Sequence, residues 1–216
     1  MNLSGRPPSP APVVRPLAIE LAQLRDAFEG RPATLREMIG ILGDRAYQLL
    51  LMLCTLPFLL PVSLPGTSTP FGLAVAIISL QLAFGRLPWL PSRLLDKQLA
   101  PGFLTKVVAV TRGVVGFVEK ALRPQLPALT GARWLVALHY LTIGVAGLVL
   151  TLPLPLPLTN TFPAWTILFL ALGLLERDGL FVLAGYVMAL ATVVWFTILG
   201  AAVHQTLAAM WHWLVG

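Results

Sequence analysis

Three long stretches of this sequence contain no charged side chain, and they limit the folds that it can adopt. One lies between Arg45 and Arg86, the second between Arg133 and Glu176, and the third runs from Gly179 to the C-terminus. Each is about forty residues long, whereas one helical crossing of a bilayer needs about 20 residues. Only 11% of all residues are charged, against about 25% in soluble domains. The sequence therefore predicts an all-α integral membrane protein.

The first two uncharged tracts share a proline-rich motif. Residues 55–63 read TLPFLLPVS and residues 151–159 read TLPLPLPLT, with five of the nine positions identical. Each motif leads into a short polar cluster and then into an apolar segment that would span only about 18–23 Å as a helix. The pattern favours an internal duplication. The alternative is that two Leu- and Pro-rich segments match by composition alone.

Prolines inside apolar tracts predict broken helices. Proline ends a helix, and in lipid the freed backbone groups must be buried in protein or line a wet cavity. We interpret the two tracts as repeated Pro-broken helical hairpins, which are either re-entrant or joined by ordinary turns outside the hydrocarbon. Short interrupted segments in two halves indicate a binding site in transporter-like folds. The candidate substrate-binding residues are Ser63, Thr67, Ser68, Thr69, Gln81, Thr159, Asn160 and Thr161.

The other segments complete the predicted layout. Thr34 and Glu37 have the spacing of a capping box, which predicts a helix start. Lys and Arg concentrate before and between the hairpins, which predicts that the N-terminus and the central segment are cytoplasmic and lie against anionic lipid headgroups. We expect a disordered Pro-rich tail (1–16), amphipathic helices (17–43), the first hairpin (44–86), a basic amphipathic interfacial segment (87–132), the second hairpin (133–178) and a C-terminal transmembrane helix with its tail (179–216).

Charged residues cluster at the edges of the tracts. Ionisable groups near membrane depth tend to be paired. Candidate pairs are therefore Asp44 with Arg177, and Arg45 with Glu176 or Asp178. Alternatively, each cluster is a solvated helix boundary.

No catalytic or metal-binding pattern is visible. The histidines lack metal-ligand spacing, Cys54 is the only cysteine, and the carboxylates show no acid/base arrangement. His139 lies in an apolar run, where a helix-packing role is favoured over a cavity role. We therefore expect a protein that is not an enzyme and binds no metal or cofactor. We also expect no nucleic-acid binding, because the basic residues border apolar tracts and form no nucleic-acid module.

Two segments of the chain resemble the ExoD family of bacterial membrane proteins, named for exopolysaccharide synthesis. The first runs from Gly40 to Leu99 and contains GDR, LPF and GRLPWLP, in which a leucine is added to the family's R-PWLP pattern. The second is LGLLERDGLFVLAGY, from Leu172 to Tyr186. The resemblance implies a role in polysaccharide production or export at the bacterial cytoplasmic (inner) membrane. It supplies no catalytic residue.

Two functions remain open on these grounds. One, which the broken helices favour, is a small transporter-like or channel-like protein with a site between the hairpins and a homo-oligomeric state such as a dimer. The other is a non-catalytic scaffold or regulatory subunit that docks onto polysaccharide synthesis or export proteins through its basic amphipathic helices. A membrane enzyme acting on lipid-linked substrates is the weakest alternative, because the carboxylates form no recognisable site.

Overall fold

The computed structural model describes residues 33–43, 45–59, 68–89, 95–96, 98–99, 126, 128–152 and 158–215, and this part of the chain is built from helices with one minimal strand pair. The predicted Pro-rich tail, the first amphipathic stretch up to residue 32 and the predicted interfacial helix between residues 103 and 122 lie outside the described residues. The all-helical class predicted from the uncharged tracts is confirmed.

The elements follow one another in a simple order. A two-residue strand β1 (Ala33–Thr34) pairs antiparallel with β2 (Gln98–Leu99). The helices are α1 (Leu35–Leu42), α2 (Arg45–Thr55) with a 3-10 turn (Leu56–Phe58) after it, α3 (Ser68–Ala83), α4 (Ala128–Gly131), α5 (Arg133–Leu150), α6 (Thr161–Glu176) and α7 (Gly179–Val215).

Helix α1 begins at the capping box that the sequence predicts. The backbone N–H of Glu37 donates to the Thr34 hydroxyl over 3.3 Å, and the Glu37 carboxylate accepts from the backbone N–H of Thr34 over 3.0 Å. One exposed ion pair joins Arg36 of this helix to Asp96, with 2.9 Å between Nε and Oδ1. The hydrogen bond that Arg36 donates to the Asp96 carboxylate raises the pKa of the guanidinium. These contacts hold α1 to the segment that follows α3.

Helices α3 and α5 approach each other through small residues. A Cβ atom on Gly72 would lie 2.6 Å from the carbonyl oxygen of Gly147, and one on Gly144 would lie 3.1 Å from the Ser79 hydroxyl. Residue numbers rise along α3 as they fall along α5, so the two helices are antiparallel. Close backbone approach through small side chains is typical of helix pairs in membranes.

Helix α6 lies at the centre of the bundle, where it packs against α2, α5 and α7 and is buried along most of its length. A Cβ on Gly173 would lie 2.8 Å from the Val182 side chain, and one on Gly185 would lie 2.6 Å from Leu170. Helix α7 is therefore antiparallel to α6. Arg177, in a left-handed conformation with φ of 56°, ends α6 and allows this tight reversal.

The antiparallel order gathers the helix ends into two groups. The first, which we call the arginine end, holds Arg45, Arg86, Arg133 and Arg177 at the starts of α2 and α5 and at the ends of α3 and α6. The second, the loop end, holds the ends of α2 and α5 and the starts of α3 and α6.

Helix lengths agree with the sequence only in part. In the part of the chain that the structure describes, α5 and residues 179–213 are long and apolar enough to cross a membrane, while α3 and α6 are shorter. With 16 residues each, α3 and α6 measure about 24 Å, which confirms the short segments predicted from the sequence. Helix α7 has 37 residues and is about 55 Å long. Its described ring contact furthest along the chain joins Trp195 to Phe162 of α6, and residues 200–207 are exposed.

Candidate functional site

The described residues that flank the two Pro-rich connections meet at the loop end. The Thr69 hydroxyl, in the first turn of α3, donates to the backbone carbonyl of Thr151 at the end of α5 over 3.1 Å. Ser68 beside it is buried. Because Thr69 follows the first connection and Thr151 precedes the second, this bond joins the described flanks of both.

Two polar atoms at the loop end have no hydrogen-bond partner among the described residues, although both are buried. They are the side-chain oxygen Oδ1 of Asn160 and the indole nitrogen Nε1 of Trp195. The Trp195 ring packs edge-on against Phe162, two residues after Asn160, with ring centroids 6.1 Å apart. One of these atoms is an acceptor and the other a donor. A buried unpaired group costs about 1–3 kcal/mol, so this pair of atoms is expensive to keep without a ligand.

Some of the other polar residues predicted for this site lie at the loop end, and others are not among the described residues. Thr159 and Thr161 flank Asn160 and are buried, so the structure brings these three together with Ser68 and Thr69 at the loop end. Ser63 and Thr67 lie outside the described residues.

Gln81 is near the other end of α3, away from the loop end. Its amide nitrogen donates to the Ile77 carbonyl over 3.3 Å, and its amide oxygen accepts from the backbone N–H of Trp89 over 2.7 Å. Gln81 therefore holds the chain that leaves α3. The sequence required a hydrogen-bond partner for this side chain, and the backbone supplies it.

The arginine end contains a cavity of about 350 Å³. Arg45, Arg86 and Arg177 all line it, and each comes from the end of a different helix or from the turn that follows. Arg86 and Arg177 are exposed, and neither guanidinium has an ion-pair partner in the described part of the chain. None of the described residues that line the cavity carries a carboxylate. The cavity therefore presents an excess of positive charge.

A polar wall lies deeper in the same cavity. The Gln48 side-chain amide donates from Nε2 to the Tyr140 hydroxyl over 2.8 Å, and this bond joins α2 to α5. Gln48 is only 8% exposed, yet its Oε1 has no hydrogen-bond partner among the described residues. The cavity thus combines cationic side chains with one buried acceptor that lacks a donor.

Comparison with known proteins gives the chain a family. A family model described as "Exopolysaccharide synthesis, ExoD" matches residues 17–198. The chain belongs to the ExoD family. It is 39% identical to Protein ExoD of Rhizobium meliloti (strain 1021) over 202 residues, which cover 93% of this chain and 84% of the relative. An uncharacterized protein of Synechocystis sp. is 29% identical over 172 residues, which cover 77% of this chain and 80% of that protein. No solved structure matches.

ExoD membership confirms the resemblance found in the sequence and implies a role in exopolysaccharide synthesis. The family name does not indicate a catalytic activity. Within the described residues of this ExoD protein, no group of three His, Cys, Asp or Glu side chains is placed to hold a metal ion.

The predicted charged cluster has several structural roles in this ExoD protein. Asp178 is 2% exposed, and its carboxylate accepts from the backbone N–H of Leu180 over 2.8 Å, so it caps the first turn of α7. Arg45 and Arg177 line the arginine-end cavity, and Glu176, which precedes Arg177 in the sequence, is half-buried. Asp44 lies outside the described residues, so its predicted pairing stays a prediction.

His139 connects three helices, which confirms its helix-packing role. One ring nitrogen lies 2.8 Å from the Tyr186 hydroxyl of α7, and the other lies 3.0 Å from the Leu129 carbonyl of α4. Both ring nitrogens of this buried side chain are therefore occupied.

The candidate residues proposed from sequence omitted Gln48, Arg86, Tyr140 and Trp195. Arg86 had a visible signal, because it closes the tract that Arg45 opens, and an antiparallel hairpin returns its end to its start. The other three had none, since a single polar or aromatic residue within an apolar tract does not show which neighbours it will meet.

Proposed function

We propose that this ExoD protein is a transporter-like or channel-like protein of the bacterial cytoplasmic membrane that serves exopolysaccharide synthesis and binds a small solute at its loop end. The observation that carries the proposal is a pair of buried polar atoms, on Asn160 and Trp195, that have no hydrogen-bond partner in the described part of the chain. A solute that accepts from the indole N–H and donates to the amide oxygen would remove the cost of both. The Thr69–Thr151 bond, which joins the described flanks of the two connections, supports a shared site.

Helix lengths support a position of the loop end within the membrane. Helices α3 and α6 measure about 24 Å and α5, with 18 residues, about 27 Å, against a hydrocarbon core of about 30 Å. Basic residues favour a cytoplasmic arginine end. With that end at the cytoplasmic boundary, the Pro-rich connections would stop a few Å short of the opposite boundary, where broken backbone has to be enclosed by protein or face water.

The described part of the bundle has a cavity at its arginine end and a packed centre. The cavity at the arginine end is lined partly by solvent-exposed side chains, whereas Leu51, Ile143 and Ile167 are fully buried between it and the loop end. This arrangement fits a transporter-like protein that is open toward the arginine end and closed at its centre. Movement of the two hairpins against each other would then change the access to the loop end.

The proposed site is tested by removing one polar atom at a time. Trp195→Phe keeps the ring contact with Phe162 but deletes the indole N–H, and Asn160→Ala deletes the amide. If these groups bind a solute, both variants lose exopolysaccharide production in cells that lack the chromosomal copy, while their melting temperatures stay at or above the wild-type value. The matched control is Trp134→Phe, because Trp134 is 69% exposed at the arginine end. Normal production by both site variants would refute the proposal.

Accessibility gives a second, independent measurement. Single cysteines replace Asn160 and Thr69 in a Cys54→Ala background, and a membrane-impermeant thiol reagent is applied from each side. Protection of both positions by one solute, or labelling from opposite sides under different conditions, is expected for a transport site. A cysteine at Val145, which is 61% exposed on α5, serves as the lipid-facing control. Full and constant labelling of both positions from the outer side alone would make them ordinary turns.

A second candidate function is a scaffold for polysaccharide synthesis or export proteins, or for a second copy of this chain. The exposed apolar half of α7 favours it, because large side chains lie uncovered beyond Trp195, namely Ile198, Val203, Leu207, Met210, Trp211 and Trp213. Polar substitutions at Leu207 and Met210 would abolish function under the scaffold proposal. Under the transport proposal alone, the same substitutions would act much less than Trp195→Phe.

A further inference from the structure

We propose that the arginine-end cavity is a binding site for a phosphorylated sugar. The site lies at the opposite end of the bundle from the proposed solute site, and the two proposals do not depend on each other. The charge, the buried Gln48 amide and the size of the cavity support this assignment.

The charge of the cavity selects an anion. Arg45 at the start of α2, Arg86 after α3 and Arg177 after α6 all line it. Planar guanidinium groups bind phosphate oxygens through two parallel N–H donors, which is why arginine is favoured at phosphate sites. Since none of the described lining residues is acidic, a phosphate group would meet no opposing carboxylate there.

The polar wall selects a ligand that also carries hydroxyl groups. The Gln48 Oε1 atom is a buried acceptor that no described residue donates to, and a fully ionised phosphate brings only further acceptors. A sugar hydroxyl can donate to this oxygen. The Thr130 side chain lies on the same lining and adds a second hydroxyl contact.

The size and the apolar part of the lining agree with one sugar unit. A volume of about 350 Å³ lies near the lower limit of about 300–1,000 Å³ for small-molecule sites, and each water takes about 30 Å³ in the liquid. Leu82, Val136 and Leu174 supply apolar surface, against which the C–H face of a sugar ring can pack. The cavity is thus larger than a phosphate ion needs.

The test measures binding by calorimetry, with the purified full-length protein in phosphatidylcholine nanodiscs. The probes are glucose 1-phosphate, inorganic phosphate and glucose. We expect glucose 1-phosphate to bind at least about tenfold more tightly than either of the other two, because one additional charge-assisted or neutral hydrogen bond is worth about that factor. Equal affinity for inorganic phosphate would overturn the sugar part of the proposal, and no saturable binding would overturn all of it.

Substitutions identify the cavity as the place of binding. Arg86→Gln and Arg177→Gln should each weaken glucose 1-phosphate binding about five- to tenfold. The matched control is Arg133→Gln, which removes the same charge from an exposed residue at the same end that does not line the cavity, and its affinity should stay within about twofold of the wild type. If all three variants lose affinity equally, general surface charge explains the binding and the site is refuted.

Gln48→Leu separates the two halves of the ligand. It should weaken glucose 1-phosphate binding while leaving the affinity for inorganic phosphate unchanged. Because it also removes the amide that donates to the Tyr140 hydroxyl, it should lower the melting temperature by about 2–4 °C. An unchanged affinity for glucose 1-phosphate would refute the role of Gln48. Circular dichroism of each variant establishes that the helices are intact before binding is compared.

Two sources could present the same chemistry, a soluble sugar phosphate or the phosphorylated polyol headgroup of a lipid. Nanodiscs with and without phosphatidylinositol distinguish them. Competition between this lipid and glucose 1-phosphate, lost in Arg177→Gln, would assign the cavity to a lipid headgroup. Binding of glucose 1-phosphate without competition would assign it to a soluble ligand.

Discussion

The contact between α3 and α5 makes Gly72→Ala a sensitive test of the bundle. A methyl group on Gly72 would lie 2.6 Å from the Gly147 carbonyl oxygen and 2.8 Å from the Thr151 nitrogen. Both are backbone atoms, so no side chain can rotate away. The two helices would have to separate by at least about 0.4 Å to restore a contact of 3.0 Å, and overpacking of this kind costs typically about 1–3 kcal/mol.

The higher helix preference of alanine opposes the destabilisation caused by the clash. Replacing glycine by alanine inside a helix gains about 1 kcal/mol from conformational preference. With the clash at the upper part of its range, Gly72→Ala should lose about 2 kcal/mol. The matched control is Gly200→Ala on α7, where an added Cβ meets nothing within 4 Å, and this variant should gain up to about 1 kcal/mol. Replacing glycine by alanine should therefore lower the stability at Gly72 and raise it at Gly200.

The assay is thermal unfolding in detergent, followed by circular dichroism at one fixed heating rate because membrane proteins often unfold irreversibly. At about 2–4 °C per kcal/mol for a chain of this size, the two variants should differ by about 6–12 °C. Exopolysaccharide production should also fall in Gly72→Ala, since Thr69 and Thr151 lie at the same contact. If Gly72→Ala melts at or above Gly200→Ala, the close packing of α3 on α5 is not present in the protein.

Two further predictions concern buried polar side chains. Asp178→Ala removes the cap of α7 and should lower stability by about 1 kcal/mol. Asp178→Asn keeps an acceptor and should retain most of that stability. Equal melting temperatures for the two variants would contradict the capping role. His139→Phe leaves the Tyr186 hydroxyl and the Leu129 carbonyl without their present partner and should cost about 2–4 kcal/mol in the same assay, while His204→Phe on the exposed part of α7 should have almost no effect. A harmless His139→Phe would show that these hydrogen bonds contribute little.

The helical class and the places where the helices start and stop could be predicted from the sequence, because charge and proline mark them directly. Arg45 and Arg133 open tracts that become α2 and α5, and Glu176 closes the tract that ends with α6. The capping box at Thr34 is a local feature, and it was also predictable. These signals need only neighbouring residues, which a sequence provides.

The contents of the two ends could not be predicted in the same way. Whether Gln48 meets Tyr140, or Trp195 reaches Phe162, depends on the rotation and the vertical shift of whole helices. Glycine contacts such as Gly72 on Gly147 fix that shift, and a glycine in an apolar helix gives no sign of its partner. Gln81 illustrates the same limit, since a local backbone bond satisfies it where a cavity was expected.

The exposed apolar half of α7 makes the stability of the protein depend on the thickness of its bilayer. Beyond Trp195 the helix continues for some twenty residues, or about 30 Å. This length equals the thickness of one hydrocarbon core. The first half of the same helix already runs beside α6. A straight rod of about 55 Å has more apolar length than an ordinary membrane can cover at any usual tilt. Lipids with longer acyl chains should therefore raise the melting temperature of the reconstituted protein steadily, while a version ending at Leu199 should reach its maximum in lipids of ordinary thickness.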